Sequence, residues 1–464
     1  MTRRLFLTGV LCILLAAVAT AQPAAQKAAP RIRHVILVSV DGLMPEAYLS
    51  PDAHGLQVPT LRELARQGAW SDGAKSVFPT VTYPAHTSIA TGVNPGTHGI
   101  VTNEAWDPVE QNDGGWRWYA EDIRATTLWD AARKRGLRTA LVWWPVTVGA
   151  RGTVVVPEIW RSGTPEDVKL ARALATPGIL DAVEKRFPNF LAGFTPPGVQ
   201  DESLTDIAVH AIETVRPHLL MLHIFEVDTK THDYGLWSPE ANAAIENADR
   251  QIARLIAAAK KAGIWEQTAL VIVSDHGFLP ITERVRPGVL LREKSLVTLD
   301  ERNRITDWKA VLQKGGAHAY VYLKDPADQA TRHVLMDTLL PLAGKPGSGI
   351  GRVYTEEEIR KRGGDPAAFL ALEGAEGFDL QGGYAGNYIS PTTKKGTHGY
   401  DAERPELRAS FVAYGPAIVP GRIAAEVNLI DVAPTVARWL GLQLPGAQGR
   451  PLPIRTRSPR RQNH

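Results

Sequence analysis

The chain has 464 residues, 44% of them hydrophobic, with 52 Lys and Arg against 49 Asp and Glu and a formal charge of +3. That hydrophobic share is ample for a large buried core and argues against intrinsic disorder, while a charge so near neutrality does not mark a general nucleic-acid binder, and no stable nucleic-acid complex is expected. Cys12 is the single cysteine.

Residues 1–21 place Arg3 and Arg4 before an apolar run from Leu5 to Val18, followed by the small residues Ala19, Thr20 and Ala21. This is the pattern of an export signal cut near Ala21, and the run is short for a membrane span of about 20 residues. The expectation is an exported protein, periplasmic or secreted, with no span after cleavage; a retained anchor is the alternative. Cys12 leaves with the signal, so the mature chain has no thiolate nucleophile and no Cys-type zinc site. Any metal must then be held by His, Asp, Glu or hydroxyl groups.

Residues 22–31 read as a flexible lead-in. After them, HVILVSVDG (His34 to Gly42) is a continuous apolar run ending in an acid, as suits a strand buried on both faces of a parallel sheet. VPTLRELARQG predicts a helix stopped by Gly68, and TTLWDAARKRG another stopped by Gly136. Buried strands follow at Thr139 to Trp144 and His218 to Phe225, then a long helix ending at Gly263, then strands at Ala269 to Gly277 and Ala409 to Gly415. Alternating strands and helices predict a doubly wound α/β sandwich. Two stretches rich in Gly, Pro and charge, 101–125 and 280–395, read as loops or insertions. The expected organisation is one catalytic domain over 32–450 and a solvated basic tail over 451–464.

Ligands of open α/β sheets sit beyond the carboxyl ends of the strands. Asp41 follows the first strand, Asp228 and His232 the third, and Asp275 and His276 the fourth. Asp41 alone would be read as a cap or turn acid. Three strands ending in DG, DxxxH and DHG instead gather hard oxygens and imidazoles at one edge, a donor set that suits two zinc ions about 4 Å apart. His398, in KKGTHGYD, and Thr82, in FPTVTYPAH, bring the candidate ligands to seven.

The ordered motifs VSVDG, FPTVTYPAH, GIVTNEAWD, DTKTHDYG, VSDHG and GTHGYD, extending to VNLIDVAPTVARWLG, resemble the nucleotide pyrophosphatase/phosphodiesterase branch of the alkaline phosphatase superfamily over nearly the whole mature chain. The resemblance implies an alkaline phosphatase-like αβα sandwich with a mainly parallel central sheet and loop or cap insertions. It also implies two Zn²⁺ per chain, one held by Asp228, His232 and His398, the other by Asp41, Asp275, His276 and the Thr82 hydroxyl. Thr82 would then be the nucleophile, forming a covalent phosphothreonine, and Asn103 would bind a non-bridging oxygen of a small phosphodiester or nucleotide substrate.

Ala85, Thr231 and Thr397 stand where the family has Asn, Gly and Asn; none of these changes removes a ligand. His86 and His98 flank Thr82 but read as scaffold, and His34, His54, His210, His218, His223 and His318 as ordinary. Trp106, Tyr234 and Trp237 are candidates for stacking on a base or aryl group, with core packing the competing account. Among rivals, a sulfatase needs a Cys or Ser that Thr82 does not supply, and a purely metal-binding protein has no use for Thr82. A zinc phosphomonoesterase would add cations against the extra phosphate charge, and none is evident near Asn103 or Trp143. Thr82 itself falls at a helix start, with the helix running to Gly92, and free helix N–H groups favour an anion.

Overall fold

The computed structural model describes residues 31–110, 115–160, 164–188, 190 and 199–457. The signal of residues 1–21 and nearly all of the lead-in lie outside them. Eight strands form the central sheet, in the order Gly421–Ala424, Ala69–Ser71, Phe411–Tyr414, Thr268–Val273, His34–Val40, Leu219–Ile224, Thr139–Val142, Val154–Val156. The last five run parallel, in register from Val38 to Leu222 on one side and to Ile272 on the other.

All five strands expected from the sequence are in this sheet, and each of those in the parallel block is buried along its whole length. Alternation splits their side chains between two cores. Ile36, Val38 and Val40 face Leu61 and Leu64 of helix Pro59–Gln67, Ile207 of helix Asp201–Thr214 and Leu255 of helix Pro239–Lys261. Val35 and Leu37 face Ile89 of helix Thr82–Thr91, Leu128 of helix Leu128–Lys134 and Val436 of helix Val432–Leu440. Helices cover both faces of a mainly parallel sheet, which is the alkaline phosphatase-like αβα architecture.

Three differences from the sequence reading have physical causes. The strand Phe411–Tyr414 runs antiparallel to its neighbours, an orientation its apolar run does not encode. Residues 280–395 are not mainly loop: Ala310–Gly315, His318–Leu323, Leu370–Gly374 and Ile350–Thr355 pair as an antiparallel sheet over a third core around Val321, Leu335 and Leu372. Their short strands pair with partners distant in sequence, so glycines and charges in the turns dominate the local signal. The tail is not free throughout, because Leu452 and Ile454 are buried in the core that holds Val35 and Leu37, and Thr456 bridges to Ile418. Among the described residues no helix is long and apolar enough to cross a membrane.

Candidate active site

The parallel block delivers Asp41, Asp275 and the helix Glu226–Tyr234, which bears Asp228 and His232, to one edge. Asp41 is in the turn that leaves the first strand, where Gly42 has φ 68° and its N–H donates to Asp275 Oδ1 at 3.1 Å. A Cβ on Gly42 would lie 2.5 Å from the Phe278 ring, so only glycine fits. His398 comes from beyond the insertion sheet. The hairpin tip at residues 315–317 holds it, with Ala317 N–H donating to the His398 carbonyl at 2.8 Å, and the buried Thr80 hydroxyl accepts from Gly399 N–H at 2.9 Å.

Six of the seven expected ligands converge in the distances between their donor atoms. His232 Nε2 is 3.4 Å and His398 Nε2 3.7 Å from Asp228 Oδ1. His276 Nε2 is 3.4 Å from Asp41 Oδ1 and 3.1 Å from Asp275 Oδ2. Asp228, His276 and His398 form one group able to hold a metal ion, and Asp41, Asp275 and His276 a second, with His276 common to both. The His276 and His398 rings stack at 3.6 Å between centroids.

The other ring nitrogens are committed elsewhere. His232 Nδ1 donates to the Gly396 carbonyl at 2.8 Å, His398 Nδ1 to the Thr80 carbonyl at 2.8 Å, and His276 Nδ1 to the Gly277 carbonyl at 3.2 Å. Each carbonyl engages Nδ1 and leaves Nε2 facing the carboxylates, the usual arrangement of a metal-ligating histidine.

Electrostatics without an ion are strained in opposite directions. Burial, together with Asp275 and Asp228 nearby, pushes Asp41 well above the usual carboxylate range. Burial opposes a charge on Asp275 too, but His276 and His86 beside it prevail and hold it low. Burial disfavours protonation of His276, yet Asp275 and Asp41 raise it to about 9, whereas His398 is held well below its ordinary value by burial and by His276 and His232.

Thr82 opens the helix Thr82–Thr91 and is 6% exposed; Gly92, at φ 76°, ends it. Pro84 has no N–H, the Ala85 N–H is taken by the Val81 carbonyl at 3.0 Å, and the Tyr83 N–H by Asn103 Oδ1 at 2.8 Å. The Thr82 N–H remains as the donor of the first turn. Asn103 lines a cleft of about 370 Å³ together with His232 and His398.

His98 is tied to Ser88 Oγ at 2.9 Å and to Ile100 N–H at 3.1 Å, and His86 Nδ1 donates to the Thr82 carbonyl at 2.8 Å, so both brace the helix that Thr82 opens. Of the substituted family positions, Thr231 is satisfied by the Val227 carbonyl at 2.7 Å and Thr397 by Asp379 at 3.2 Å.

None of the three aromatic candidates lines the cleft. Trp106 packs edge-on to Tyr322, Trp237 stacks on His54 at 3.6 Å, and the exposed Tyr234 sits beneath Lys230. Trp116 lines it instead, edge-on to Tyr83 at 5.1 Å, and Lys314 and Lys394 complete a wall that the sequence reading did not identify. Gln313, which donates to the Thr102 hydroxyl at 2.9 Å and to the Glu104 carbonyl at 3.0 Å, brings Lys314 to the cleft that Asn103 lines. His223, ordinary by its sequence context, has ring nitrogens that meet Glu158 Oε2 at 2.5 Å and Asp41 Oδ2 at 3.1 Å.

Comparison with known proteins agrees with this geometry. The family model for type I phosphodiesterase / nucleotide pyrophosphatase matches residues 35–401. Bis(5'-adenosyl)-triphosphatase ENPP4 of Bos taurus is 24% identical over 422 residues, covering 88% of this chain and 78% of that protein. Ectonucleotide pyrophosphatase/phosphodiesterase family member 5 of Homo sapiens is 23% identical, covering 89% and 75%. The structure of murine ENPP5, an inactive form in complex with AMP, superposes with a TM-score of 0.65 at 20% identity, covering 90% of this chain and 97% of that one. The chain belongs to the type I phosphodiesterase/nucleotide pyrophosphatase family and is a phosphoric ester hydrolase.

Proposed function

We propose that this protein is an exported two-zinc phosphodiesterase/nucleotide pyrophosphatase that cleaves phosphodiester or phosphoanhydride bonds through a covalent phosphothreonine on Thr82. The observation that carries the proposal is a set of buried, unpartnered atoms aimed at one another: Asp41 Oδ1, Asp228 Oδ1, Asp275 Oδ2 and His276 Nε2 have no hydrogen-bond partner among the described residues. Each such group costs on the order of 1–3 kcal/mol, more when charged, so four in one place call for cations. Oxygen and imidazole donors suit zinc. Asp228, His232 and His398 would hold one ion, and Asp41, Asp275, His276 and the Thr82 hydroxyl the other.

Zinc held by these residues would supply positive charge favouring a deprotonated Thr82 hydroxyl and a departing oxygen. Thr82 Oγ attacks phosphorus, the bond to the leaving oxygen breaks, and one half of the substrate departs. Water then attacks the same phosphorus, releasing a phosphomonoester and restoring Thr82. Asn103 Nδ2 and the Thr82 N–H donate to the non-bridging oxygen that carries charge in both steps. AMP, bound by the murine relative, is the kind of product such a reaction leaves. Export is supported by the pattern of residues 1–21 and by the name of the human ectonucleotide relative.

Diesters are favoured over monoesters by the state of the two lysines. Lys314 is 3.6 Å from Glu104 and Lys394 is 2.5 Å from Asp233, so neither charge stands free to answer a second negative charge on phosphorus. The test compares bis(p-nitrophenyl) phosphate, a nucleotide p-nitrophenyl ester and p-nitrophenyl phosphate, with and without chelator, in wild type and Thr82→Ala. Chelator-sensitive turnover of the diesters, abolished in Thr82→Ala, is expected. Full activity in Thr82→Ala would overturn the covalent step, and a marked preference for the monoester would overturn the diesterase.

A further inference from the structure

We infer that Glu158 and His223 form a positioning pair that fixes which oxygen Asp41 offers to a metal ion. The inference rests on the two-zinc reading above, in which neither residue has a role. His223 lies in the strand beside that of Asp41, directly opposite Ser39 in register, and its ring is fully buried. Glu158, likewise fully buried, follows the strand Val154–Val156 at the far edge of the parallel block.

Its two ring nitrogens face two carboxyl groups, Nδ1 at 2.5 Å from Glu158 Oε2 and Nε2 at 3.1 Å from Asp41 Oδ2. The Asp41 carboxylate is thereby split: Oδ2 is tied to the scaffold, while Oδ1 has no partner and points to His276. Glu158 locks the ring, and the ring locks the carboxylate, so Asp41 can hold an ion through one oxygen only. The order is carboxylate, imidazole, carboxylate ligand, the reverse of the common arrangement in which the imidazole itself is the ligand. His86, whose ring lies 4.3 Å from that of His223, does not duplicate the device, since its Nδ1 is given to the Thr82 carbonyl.

A bland alternative is that His223 merely compensates two buried acids, in which case its loss destabilises the fold without regard to either ion. Zinc titration of the full-length protein against a chromophoric chelator separates the two. His223→Phe should weaken one of the two zinc sites by about 10- to 100-fold and leave the other within about threefold. Glu158→Gln, which keeps an acceptor oxygen for the ring, should weaken the same site by less. The cobalt-substituted protein should show an altered visible spectrum at that site alone.

Two sites of wild-type affinity in both variants would overturn the inference while leaving the two-zinc reading intact. Equal weakening of both sites, accompanied by a lower thermal midpoint, would overturn it in favour of the structural role. A wild-type protein that takes up no zinc would overturn both readings together. Should His223→Phe fail to fold, Glu158→Gln carries the same comparison.

Discussion

Asn103 offers a perturbation whose two consequences can be separated. Its Oδ1 is committed to the Tyr83 N–H at 2.8 Å, so the Nδ2 end is the one presented to the cleft. Asn103→Ala removes one donor to the charged oxygen of the transition state, worth about 2.7–4 kcal/mol or 10²–10³ in kcat. It also strips the partner from a part-buried N–H in the first helical turn, about 1 kcal/mol of stability. Asn103→Asp keeps the acceptor and so the stability, but it loses the donor and sets a negative charge beside an anionic substrate. At about 4 Å and an effective dielectric near 20, that repulsion is up to about 4 kcal/mol. Activity should therefore fall in the order wild type, Ala, Asp, while stability falls in the order wild type and Asp together, then Ala. The assay is kcat/KM for bis(p-nitrophenyl) phosphate with zinc, alongside urea midpoints. An Asp variant more active than the Ala variant, or an Ala variant within fivefold of wild type, would refute the donor role.

Gly42→Ala would force an L side chain to φ 68° and drive its Cβ into Phe278, whose ring packs edge-on against His232, His276 and His398. At least about 2 kcal/mol of stability should be lost, with a parallel loss of zinc affinity in chelator competition; a variant like wild type in both would refute the steric argument. Lys314→Ala should change kcat/KM for bis(p-nitrophenyl) phosphate by less than about threefold, because Glu104 at 3.6 Å already answers the charge of that lysine. A larger fall would count against that pairing.

His318 is fully buried, neither ring nitrogen has a partner among the described residues, and burial lowers its pKa to about 3. Above pH 6.5 the ring is neutral in both states and imposes no pH dependence. Below it only the unfolded chain takes up the proton, so stability falls as pH falls, by about 1.4 kcal/mol per unit or about 2 kcal/mol by pH 5. His318→Leu should flatten that part of the acid limb between pH 7 and pH 5; an unchanged slope would show that the ring is protonated in the fold.

What the sequence determined is local and periodic. Continuous apolar runs marked five strands, acids at their carboxyl ends marked the edge where the candidate ligands gather, and Thr82 with Gly92 bounded a helix. These features lie within a few residues of one another, where dihedral preference and side-chain alternation act directly. Tertiary structure alone decided the reversed direction of Phe411–Tyr414, the folding of residues 280–395 around their own core, and the cleft wall of Trp116, Lys314 and Lys394. It likewise joined Glu158 to Asp41 through His223, across strands more than a hundred residues apart in the chain. Such contacts depend on which apolar surfaces meet once the chain closes its long loops, and no neighbouring residue in the sequence encodes that choice.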